Sequence, residues 1–332
     1  MSLGSPAKID SPIPSLPSFE SKVKRLRDRA LMLKAARHFF DQRGVLEVDC
    51  PILSAHASVD AHIDLISAAY RRNEKYYLHS SPEFGMKRLL AEGIGDIYQL
   101  SHVFRDGEWS PKHNPEFTMT EWYRLGFSLE QMIEETMEFI RLFLGDLPYH
   151  IVSYRDIFLQ QTGIDYATAS EQELFCYIQD QNIAFYPSVL EEGKDALLNL
   201  ILGSQIEPQL GQGTLCALAY YPASQAALAR KRWHGQEQVA ERFEIYYQGI
   251  ELANGYHELT HADEQRQRFY EANALRLAFG KEPLPIDENF LQALEKGLPD
   301  CCGVAVGFDR LLMLRQGQKE IAHVLAWEWD LA

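Results

Sequence analysis

The sequence predicts an α+β fold in which a mostly antiparallel sheet is flanked by helices. Candidate strands and helices are mixed along the chain, without the regular alternation that builds a parallel sheet from βαβ units. The 332 residues, of which 46% are hydrophobic, are enough to bury a substantial core. We find no internal repeat and no linker after residue 20, so we expect residues 21–332 to form a single domain.

The first predicted element is a helix from about Phe19 to Arg43. Its apolar positions recur at helical spacing, and Gly44 stands where a helix often ends in a left-handed glycine. Strands are predicted from short runs rich in β-branched and aromatic residues. They cover residues 45–48, 76–79, 96–104, 116–124, 215–221, 241–252 and 303–308.

Two capping boxes predict where later helices begin. In each, a serine is followed three residues later by Gln or Glu, which returns a hydrogen bond to the serine backbone. The pairs are Ser128 with Gln131 and Ser170 with Glu173. Together with two further periodic segments they give predicted helices at residues 128–144, 170–180, 261–279 and 286–296.

The composition argues against nonspecific nucleic-acid binding and against a membrane span. The net charge of −15 opposes nonspecific binding to nucleic acid, and basic clusters at residues 22–29 and 230–232 are also typical of solvated helix faces. No apolar run approaches the roughly 20 residues of a membrane span. Residues 1–20 are rich in Ser and Pro, which predicts a disordered leader or, in part, sequence added for expression. They contain no apolar segment like that of a secretory signal, so we expect a cytoplasmic protein. The five cysteines are an odd number and have no CxxC spacing, which argues against a disulfide framework and a zinc site. We therefore expect the cysteines to be side chains packed in the core.

The segment from Phe104 to Tyr123 is the most informative part of the chain. After a polar, turn-rich loop, Phe117, Glu121 and Tyr123 share one strand face. Six residues at strand rise cover roughly 20 Å, enough for a nucleotide and a small acid placed end to end. Arg105 on the partner strand could reach a phosphate or carboxylate between them. A half-buried hairpin with an aromatic core face explains the alternation equally well.

A second acidic segment follows at residues 244–258. Glu244 and Glu251 could hold Mg²⁺, which takes carboxylates together with substrate phosphates. Asn254 and Glu258 would then be available to an amino-acid ligand. A strand end with exposed carboxylates is the alternative.

Residues 257–261 also match HExxH, the zinc metalloprotease pattern in which two histidines one helical turn apart bind zinc. Gly255 lies just upstream, and Thr260 has the character of a helix N-cap. The helix that the motif requires is therefore not predicted. We retain a metalloprotease acting through His257 and His261 only as a disfavoured alternative.

The third segment, residues 303–313, combines an apolar strand of small residues with Arg310 at the start of a helix. Small residues permit close approach of a ligand to the backbone, and an arginine there can bind phosphate or stack on a base. A buried strand followed by a helix with one surface arginine is the alternative.

In order and spacing, these segments resemble the three signature motifs of class II aminoacyl-tRNA synthetases, most closely the lysyl branch. Residues 43–51 match the first signature, and Ser81-Pro82-Glu83 with residues 87–90 matches the block before the second. The resemblance covers about residues 22–332. Only about twenty residues precede that part, so we expect no anticodon-binding OB domain. The sequence is similar to the EF-P β-lysine ligase family, truncated paralogues of lysyl-tRNA synthetases.

This resemblance implies a homodimeric, AMP-forming ligase that uses ATP and Mg²⁺. It would activate (R)-β-lysine or lysine as an adenylate and transfer it to a lysine of translation elongation factor EF-P, with tRNA disfavoured as acceptor. The implied catalytic residues are Arg105, Arg310 and Glu251, and the implied Mg²⁺ ligands are Glu244 and Glu251. The implied amino-acid site contains Ser81, Pro82, Glu83, Glu121, Tyr123, Asn254, Glu258 and Ala305. The implied ATP site contains Arg105, Asp106, Gly107, His113, Asn114, Phe117, Glu251, Leu252, Gly307 and Arg310.

Roles are also implied at the amino-acid end. Glu83 would bind the backbone-type ammonium, Tyr123 and Glu258, helped by Glu121, would hold the side-chain ammonium, and Asn254 would orient the carboxylate. Two separated anionic subsites select a diamino acid, because a monoamine leaves a buried carboxylate unpaired.

At the nucleotide end, Arg105 would clamp the α-phosphate and the substrate carboxylate. Phe117 and Arg310 would sandwich adenine, and His113 and Asn114 would line the triphosphate or adenine side.

Two positions depart from the family pattern. Gly107 stands where a glutamate usually contacts adenine, and neighbouring Glu108 is a candidate substitute. Ala305 stands where lysyl synthetases usually have glycine, and its methyl group could favour a β-amino acid.

Two other functions remain open. One is a lysine-adenylating enzyme with a tRNA or small-molecule acceptor. The other is a catalytically dead synthetase-like regulator, although such proteins typically lose the residues that are retained here as Arg105, Arg310 and Glu251.

Overall fold

A large sheet, antiparallel except at its two ends, organises the fold. The structure is a computed structural model that describes residues 21–71, 74–186, 189–190 and 192–332. The strands within these residues are Leu46–Glu47 (β1), Leu53–Ser54 (β2), Ser67–Tyr70 (β3), Glu74–Leu78 (β4), Ile97–Phe104 (β5), Glu116–Leu125 (β6), Tyr149–Ser153 (β7), Leu215–Pro222 (β8), Lys231–His234 (β9), Glu237–Tyr247 (β10), Ile250–His257 (β11) and Cys301–Gly307 (β12). The helices in the same part of the chain are Lys22–Asp41 (α1), Glu83–Ala91 (α2), Leu129–Leu144 (α3), Tyr154–Thr162 (α4), Glu171–Asp180 (α5), Lys194–Ile201 (α6), Ala262–Ala278 (α7), Glu288–Gly297 (α8) and Phe308–Arg315 (α9).

The large sheet has the strand order β1-β5-β6-β12-β11-β10-β8-β7, and β9 pairs with β10. β1 is parallel to β5 and β7 is parallel to β8, whereas the pairings between these ends are antiparallel. A smaller sheet joins β2, β4 and β3. The predicted fold class, a mostly antiparallel sheet with flanking helices, is confirmed.

One face of the sheet is covered by the main hydrophobic core. Phe40 of α1, Phe139 of α3 and Phe308 of α9 are fully buried there with Trp122 of β6. Burying each such side chain contributes roughly 1.5–3 kcal/mol, so these helices fix which face of β6 points inward. Because side chains alternate along a strand, the neighbours of Trp122 project from the opposite face.

Two further cores surround this one. Residues 145–215, which carry no recognised motif, supply α4, α5 and α6, whose apolar side chains pack around buried Tyr154 and Phe158. The third core holds α2 against α8, where Phe84 stacks on Phe290 with ring centroids 4.3 Å apart. This stacking fixes the position of α2, which carries two of the charged residues described below.

Most predicted elements are present with shifted bounds. Both capping boxes form, at Ser128 and Ser170, and Gly44 has a φ of +67°. The first helix begins at Lys22, and the part of the prediction that covers residues 1–20 lies outside the described residues. The assignment of residues 21–332 to one catalytic domain without an anticodon-binding domain stays a prediction.

The single strand predicted over residues 241–252 is wrong. The chain reverses there between β10 and β11, which pair with each other. The reversal uses Gln248 and Gly249, whose φ values of +51° and +68° belong to the left-handed region. Because the residues on both sides have strand character and Gln248 is a non-glycine residue at positive φ, the sequence pattern did not reveal the turn.

The basic clusters are largely engaged inside the molecule. Arg29 pairs with Asp309, and Arg230 and Arg232 both pair with buried Glu241. These contacts favour a structural role for those arginines over a patch for a polyanionic partner. Among the described residues, no helix is both long and apolar enough to cross a membrane.

Candidate active site

The register of four neighbouring strands brings separate sequence segments onto one face of the sheet. Directly opposed residues of antiparallel strands share a face. One such row contains Glu121 of β6, Ala305 of β12, Asn254 of β11 and Glu244 of β10. The adjacent row contains Tyr123, Gly303, Tyr256 and Arg242. Since Trp122 points into the main core, both rows lie on the opposite face, where the predicted site residues meet.

A group of buried side chains lies at one end of these rows. Glu121, which is 2% exposed, accepts a hydrogen bond from Tyr123 Oη at 2.6 Å and another from Ser81 Oγ at 2.7 Å. Ser81 also accepts a hydrogen bond from the backbone N–H of Glu83, the first residue of α2. We call this group the acidic pocket, defined by Glu83, Lys87, Glu121, Tyr123 and Glu258.

Lys87 lies in the sequence block before the second signature, and the family resemblance implies no role for it. Its side chain is 1% exposed, and its Nζ lies 2.5 Å from Oε1 of Glu83 and 2.6 Å from Oε2 of Glu258. Glu258 is equally buried. The spacing of four residues between Glu83 and Lys87 on α2 was a sequence signal for the first contact. The contact with Glu258, 171 residues away in the numbering, was not predictable from that spacing.

The acidic pocket is under electrostatic strain because one ammonium faces several carboxylates. Burial and the Glu83 charge raise the pKa of Glu121 to about 7. Burial raises the pKa of Glu258 to about 8, against the opposing effect of Lys87. Burial alone lowers the pKa of Lys87, but the Glu258 and Glu83 carboxylates outweigh it and raise that pKa well above its ordinary value. Additional positive charge in this pocket would therefore be stabilised.

Gly303 allows the acidic pocket to close. A Cβ at this position would lie 2.3 Å from the Tyr123 ring and 2.4 Å from Oε1 of Glu258. Both are closer than real Cβ atoms approach their neighbours, so any larger residue would displace the phenol or the carboxylate. Ala305, two residues further along β12, is only partly buried and opposes Asn254 across the strand pair.

Arg105 lies at the other end of the site. Its guanidinium is 5.2 Å from the ring centroid of Phe117, and Nη1 is 3.7 Å from Oε1 of Glu108. Its Nε is buried and has no hydrogen-bond partner in the described part of the chain. Gly107, at the expected adenine position, is an exposed turn residue with a φ of +75°. Glu108, rather than Gly107, therefore supplies a carboxylate beside Arg105.

Arg310 ties the hairpin loop to β11. It donates from Nη1 to the backbone oxygen of Glu251 at 2.8 Å and from Nη2 to Nε2 of His113 at 2.7 Å. An acceptor Nε2 requires neutral His113 with its proton on Nδ1, which then donates to Ser110 Oγ at 2.8 Å. Burial and the Arg310 charge lower the pKa of His113, consistent with this neutral form.

The carboxylates predicted to bind Mg²⁺ differ in their surroundings. Glu244 is buried and accepts hydrogen bonds from Tyr221 and Tyr246, and it pairs with Arg242. The Glu251 side chain is 39% exposed. Partial desolvation of its carboxylate and, next, the neighbouring Glu244 charge raise the pKa of Glu251. Thus Glu251 is accessible to a ligand, whereas Glu244 is already held by four side chains, since Asn254 Nδ2 also donates to it at 3.4 Å.

Sequence reasoning missed one further carboxylate near this pair. Glu207 accepts a hydrogen bond from Tyr246 Oη at 3.1 Å, and burial with the Glu244 charge raises its pKa to about 7. It directly follows a π-helical turn over Leu202–Ile206, a distortion that is frequent at functional sites. The surrounding sequence carries no motif that would have singled it out.

The remaining predicted residues occupy varied positions. Asn114 is buried and donates to the backbone oxygen of Glu116, and Asp106 is exposed in the hairpin loop. Leu252 is 2% exposed within the main core, which leaves only its backbone for a nucleotide. Pro82 is buried directly before α2, and Gly307 ends β12.

Residues 257–261 do not form the helix that a zinc protease requires. His257 is the last residue of β11 and contacts Asp300 through Nε2 at 2.8 Å, while His261 is the N-cap of α7. The N-cap is therefore one residue later than the Thr260 that the sequence indicated. Glu258, the glutamate of the motif, is in contact with Lys87. This geometry argues against the metalloprotease.

The chain resembles known proteins along nearly its whole length. Residues 15–328 match the family model of tRNA synthetases class II (D, K and N). An elongation factor P–(R)-β-lysine ligase of Histophilus somni is 41% identical over 317 residues, which cover 94% of this chain and 97% of that protein. The proteins of the same name from Salmonella typhi and Vibrio vulnificus are 41% and 40% identical, over 94% of this chain and 97% and 98% of theirs. This chain therefore belongs to the class II tRNA synthetase family and, within it, to the elongation factor P–(R)-β-lysine ligase family.

Proposed function

We propose that this protein is an AMP-forming ligase that activates (R)-β-lysine with ATP and transfers it to a lysine side chain of EF-P. The observation that carries the proposal is the acidic pocket, whose buried carboxylates suit the two ammonium groups of a diamino acid. The names of the relatives supply the acceptor and the β-isomer.

The residues present fit a nucleotide. Arg105 has a buried Nε without a partner, and Asn254 has a buried Oδ1 without one, among the described residues. An incoming phosphate or carboxylate would satisfy Arg105, and a donor on the ligand would satisfy Asn254. Asn254 lies in the strand row that runs from Glu121 to Glu244, next to the acidic pocket, and Arg105 lies towards the nucleotide end.

Charge neutralisation and positioning are the tasks of this end of the site. Arg105 and Arg310 would bind phosphate oxygens while the substrate carboxylate attacks the α-phosphate in line, a reaction that needs little general-base help. The oxygen donors Glu251 and Glu244 fit Mg²⁺, which would neutralise phosphate charge when bound. Exposed Glu251 would be the more accessible ligand, with Glu244 oriented by Arg242 and the two tyrosines.

Ala305 is the proposed determinant of β-amino-acid preference. It projects from the row that also contains Glu121 and Asn254, between the residues assigned to the ammonium and carboxylate groups. Its methyl group would disfavour an α-amino group near β12. Replacing Ala305 with Gly should raise the activation of α-lysine relative to (R)-β-lysine, and unchanged relative activation would contradict this role.

The acceptor is tested by supplying EF-P and tRNA in separate reactions. Purified protein is incubated with ATP, Mg²⁺ and either α-lysine or (R)-β-lysine, with EF-P or tRNA as acceptor. We expect a mass increase of EF-P with (R)-β-lysine. Charging of tRNA without a change in EF-P would support the alternative lysine-adenylating enzyme. Absence of adenylate with either lysine would support the catalytically dead regulator. Against that alternative, Arg105, Arg310 and Glu251 are all present, with Arg105 beside Glu108 and Arg310 beside Glu251.

We also propose that the protein acts in the cytoplasm, where translation factors work. We further propose that it forms a homodimer through the first signature, residues 43–51. β1 is an edge strand with Leu46 51% exposed, and Leu31 of α1 is 62% exposed. Light scattering should give twice the chain mass. Leu46→Glu should shift it towards the monomer if this face forms the interface.

A further inference from the structure

Lys87 is a buried cation inside the pocket proposed to bind cations. Its ammonium contacts Oε1 of Glu83 and Oε2 of Glu258, which leaves one oxygen of each carboxylate outside these two contacts. It also lies 6.0 Å from the centroid of the Tyr123 ring. Lys87 thus contacts both carboxylates that would bind the ammonium groups of a diamino acid.

The position of Lys87 is fixed by packing. The stacking of Phe84 on Phe290 holds α2 against α8. A Cβ on Gly85 would lie 2.9 Å from Cβ of Cys50, so α2 also approaches the preceding segment closely. A lysine that is anchored in this way has little freedom to swing out of the pocket when a ligand enters.

The charges of the acidic pocket can be counted from its contacts. The carboxylates are those of Glu83, Glu121 and Glu258, whereas Ser81 and Tyr123 donate neutral hydrogen bonds. Arg242, the buried cation of the adjacent strand, is already paired with Glu244. Within the described part of the chain, Lys87 is therefore the cation in direct contact with these carboxylates.

We propose that Lys87 is a resident counter-cation of the acidic pocket, a positioning residue that orients Glu83 and Glu258 and, when Glu83, Glu121 and Glu258 are all ionised, reduces their three charges to a net −2. A net −2 is neutralised by the two ammonium groups of a diamino acid, whereas a monoamine leaves one charge uncompensated. The inference rests on the proposed function, since it assigns the charge balance of the same pocket.

Removing the Lys87 charge should impair amino-acid binding in a pH-dependent way. The pKa values of Glu121 and Glu258 are already about 7 and about 8 with Lys87 in contact. Without Lys87 the three carboxylates repel one another more strongly, so these pKa values rise further and more protons are retained near neutral pH. Lys87→Met should therefore raise KM for (R)-β-lysine in ATP–pyrophosphate exchange at least about tenfold at pH 7, with a smaller effect on kcat. The increase should diminish towards about pH 9 as the carboxylates ionise.

A chemical rescue separates charge from packing. Lys87→Ala removes a side-chain segment that matches propylammonium in length. Propylammonium chloride should lower KM for (R)-β-lysine in this variant, whereas the uncharged propanol should not. Lys75→Met, at an exposed ion pair with Glu282, serves as the matched control and should behave like the wild type.

The outcomes distinguish the inference from the proposed function. A wild-type value and pH profile for KM in Lys87→Met would overturn the counter-cation role, as would equal rescue by propanol. If Lys87→Ala is too unstable to assay, Lys87→Met alone decides. Absence of (R)-β-lysine binding to the wild type in calorimetry would instead overturn the proposed function, and this inference with it.

Discussion

At the amino-acid end of the candidate site, the charged side chains of the acidic pocket are buried or nearly so and already in contact with one another, whereas the side chains at the nucleotide end are more exposed and less completely paired. Glu121 accepts hydrogen bonds from Ser81 and Tyr123, and Glu258 contacts Lys87 of α2. By contrast, Arg105 leaves a buried Nε unpaired, and the loop residues near it are exposed. The amino-acid end is therefore preorganised, while the nucleotide end can gain contacts from its ligand.

Preorganisation has an electrostatic cost. The acidic pocket places carboxylates together in a buried site, which is why the pKa values of Glu121 and Glu258 are raised. Binding of a diamino acid would relieve that cost, so the proposed selectivity would follow from the repulsion among these carboxylates. Changes in the two ends should accordingly affect different kinetic constants.

The largest effect is expected from Glu258→Gln. This variant keeps the shape of the side chain but removes a buried carboxylate and leaves Lys87 with one ionic partner. We expect kcat/KM for (R)-β-lysine to fall by at least about 100-fold, with KM for ATP nearly unchanged. Pyrophosphate exchange measures both. Glu282→Gln, an exposed carboxylate outside the site, is the control. An equal increase in KM for (R)-β-lysine and in KM for ATP would contradict the assignment of Glu258 to the amino-acid end alone.

Gly303→Ala tests whether the closed shape of the acidic pocket matters. The added methyl group must displace the Tyr123 ring or the Glu258 carboxylate. We expect kcat/KM for (R)-β-lysine to decrease roughly 30-fold and the free energy of unfolding to fall by about 1–3 kcal/mol. Gly203→Ala is the control because its Cβ would meet nothing closer than 4.0 Å. Unchanged kinetics in Gly303→Ala would mean that the pocket is looser than its contacts indicate.

The pH dependence of substrate affinity gives a smaller effect that needs no mutation. A carboxyl group that holds a proton cannot pair with an ammonium, so binding weakens below its pKa. Since the pKa values of Glu121 and Glu258 are about 7 and about 8, affinity for (R)-β-lysine should rise about tenfold between about pH 6 and pH 8. Calorimetry in buffers of different ionisation enthalpy should also detect proton release on binding. Flat affinity across this range would show that the carboxylates are already ionised.

The sequence predicted features that depend on neighbouring residues better than those that depend on contacts between distant residues. Strand alternation placed Phe117, Glu121 and Tyr123 on one face correctly, because that pattern depends only on neighbours along the chain. Lys87 and Glu207 were not assigned, since their roles depend on contacts with residues distant in sequence. The turn at Gln248 was missed because a non-glycine residue adopts a positive φ there.

At the nucleotide end, His113→Gln should have a modest effect. The neutral imidazole accepts a hydrogen bond from Arg310, and its loss costs about 1 kcal/mol, which corresponds to roughly a fivefold higher KM for ATP. KM for (R)-β-lysine should not change. Nucleotide titration and pyrophosphate exchange check the two constants. A larger effect on the amino-acid constant would show that Arg310 also acts on the acidic pocket.

The smallest effect concerns Glu108, which lies next to the unusual Gly107. Its carboxylate is 3.7 Å from Arg105, and both side chains are partly exposed, so the ion pair itself is weak. If Glu108 replaces the missing glutamate of the second signature, Glu108→Gln should raise KM for ATP about two- to threefold more than Glu295→Gln, which removes a comparable partly exposed pair with Arg266. The same ratio measured with GTP in place of ATP would separate adenine recognition from orientation of Arg105. A loss confined to ATP indicates contact with the base, whereas equal losses with both nucleotides indicate that Glu108 only positions the arginine.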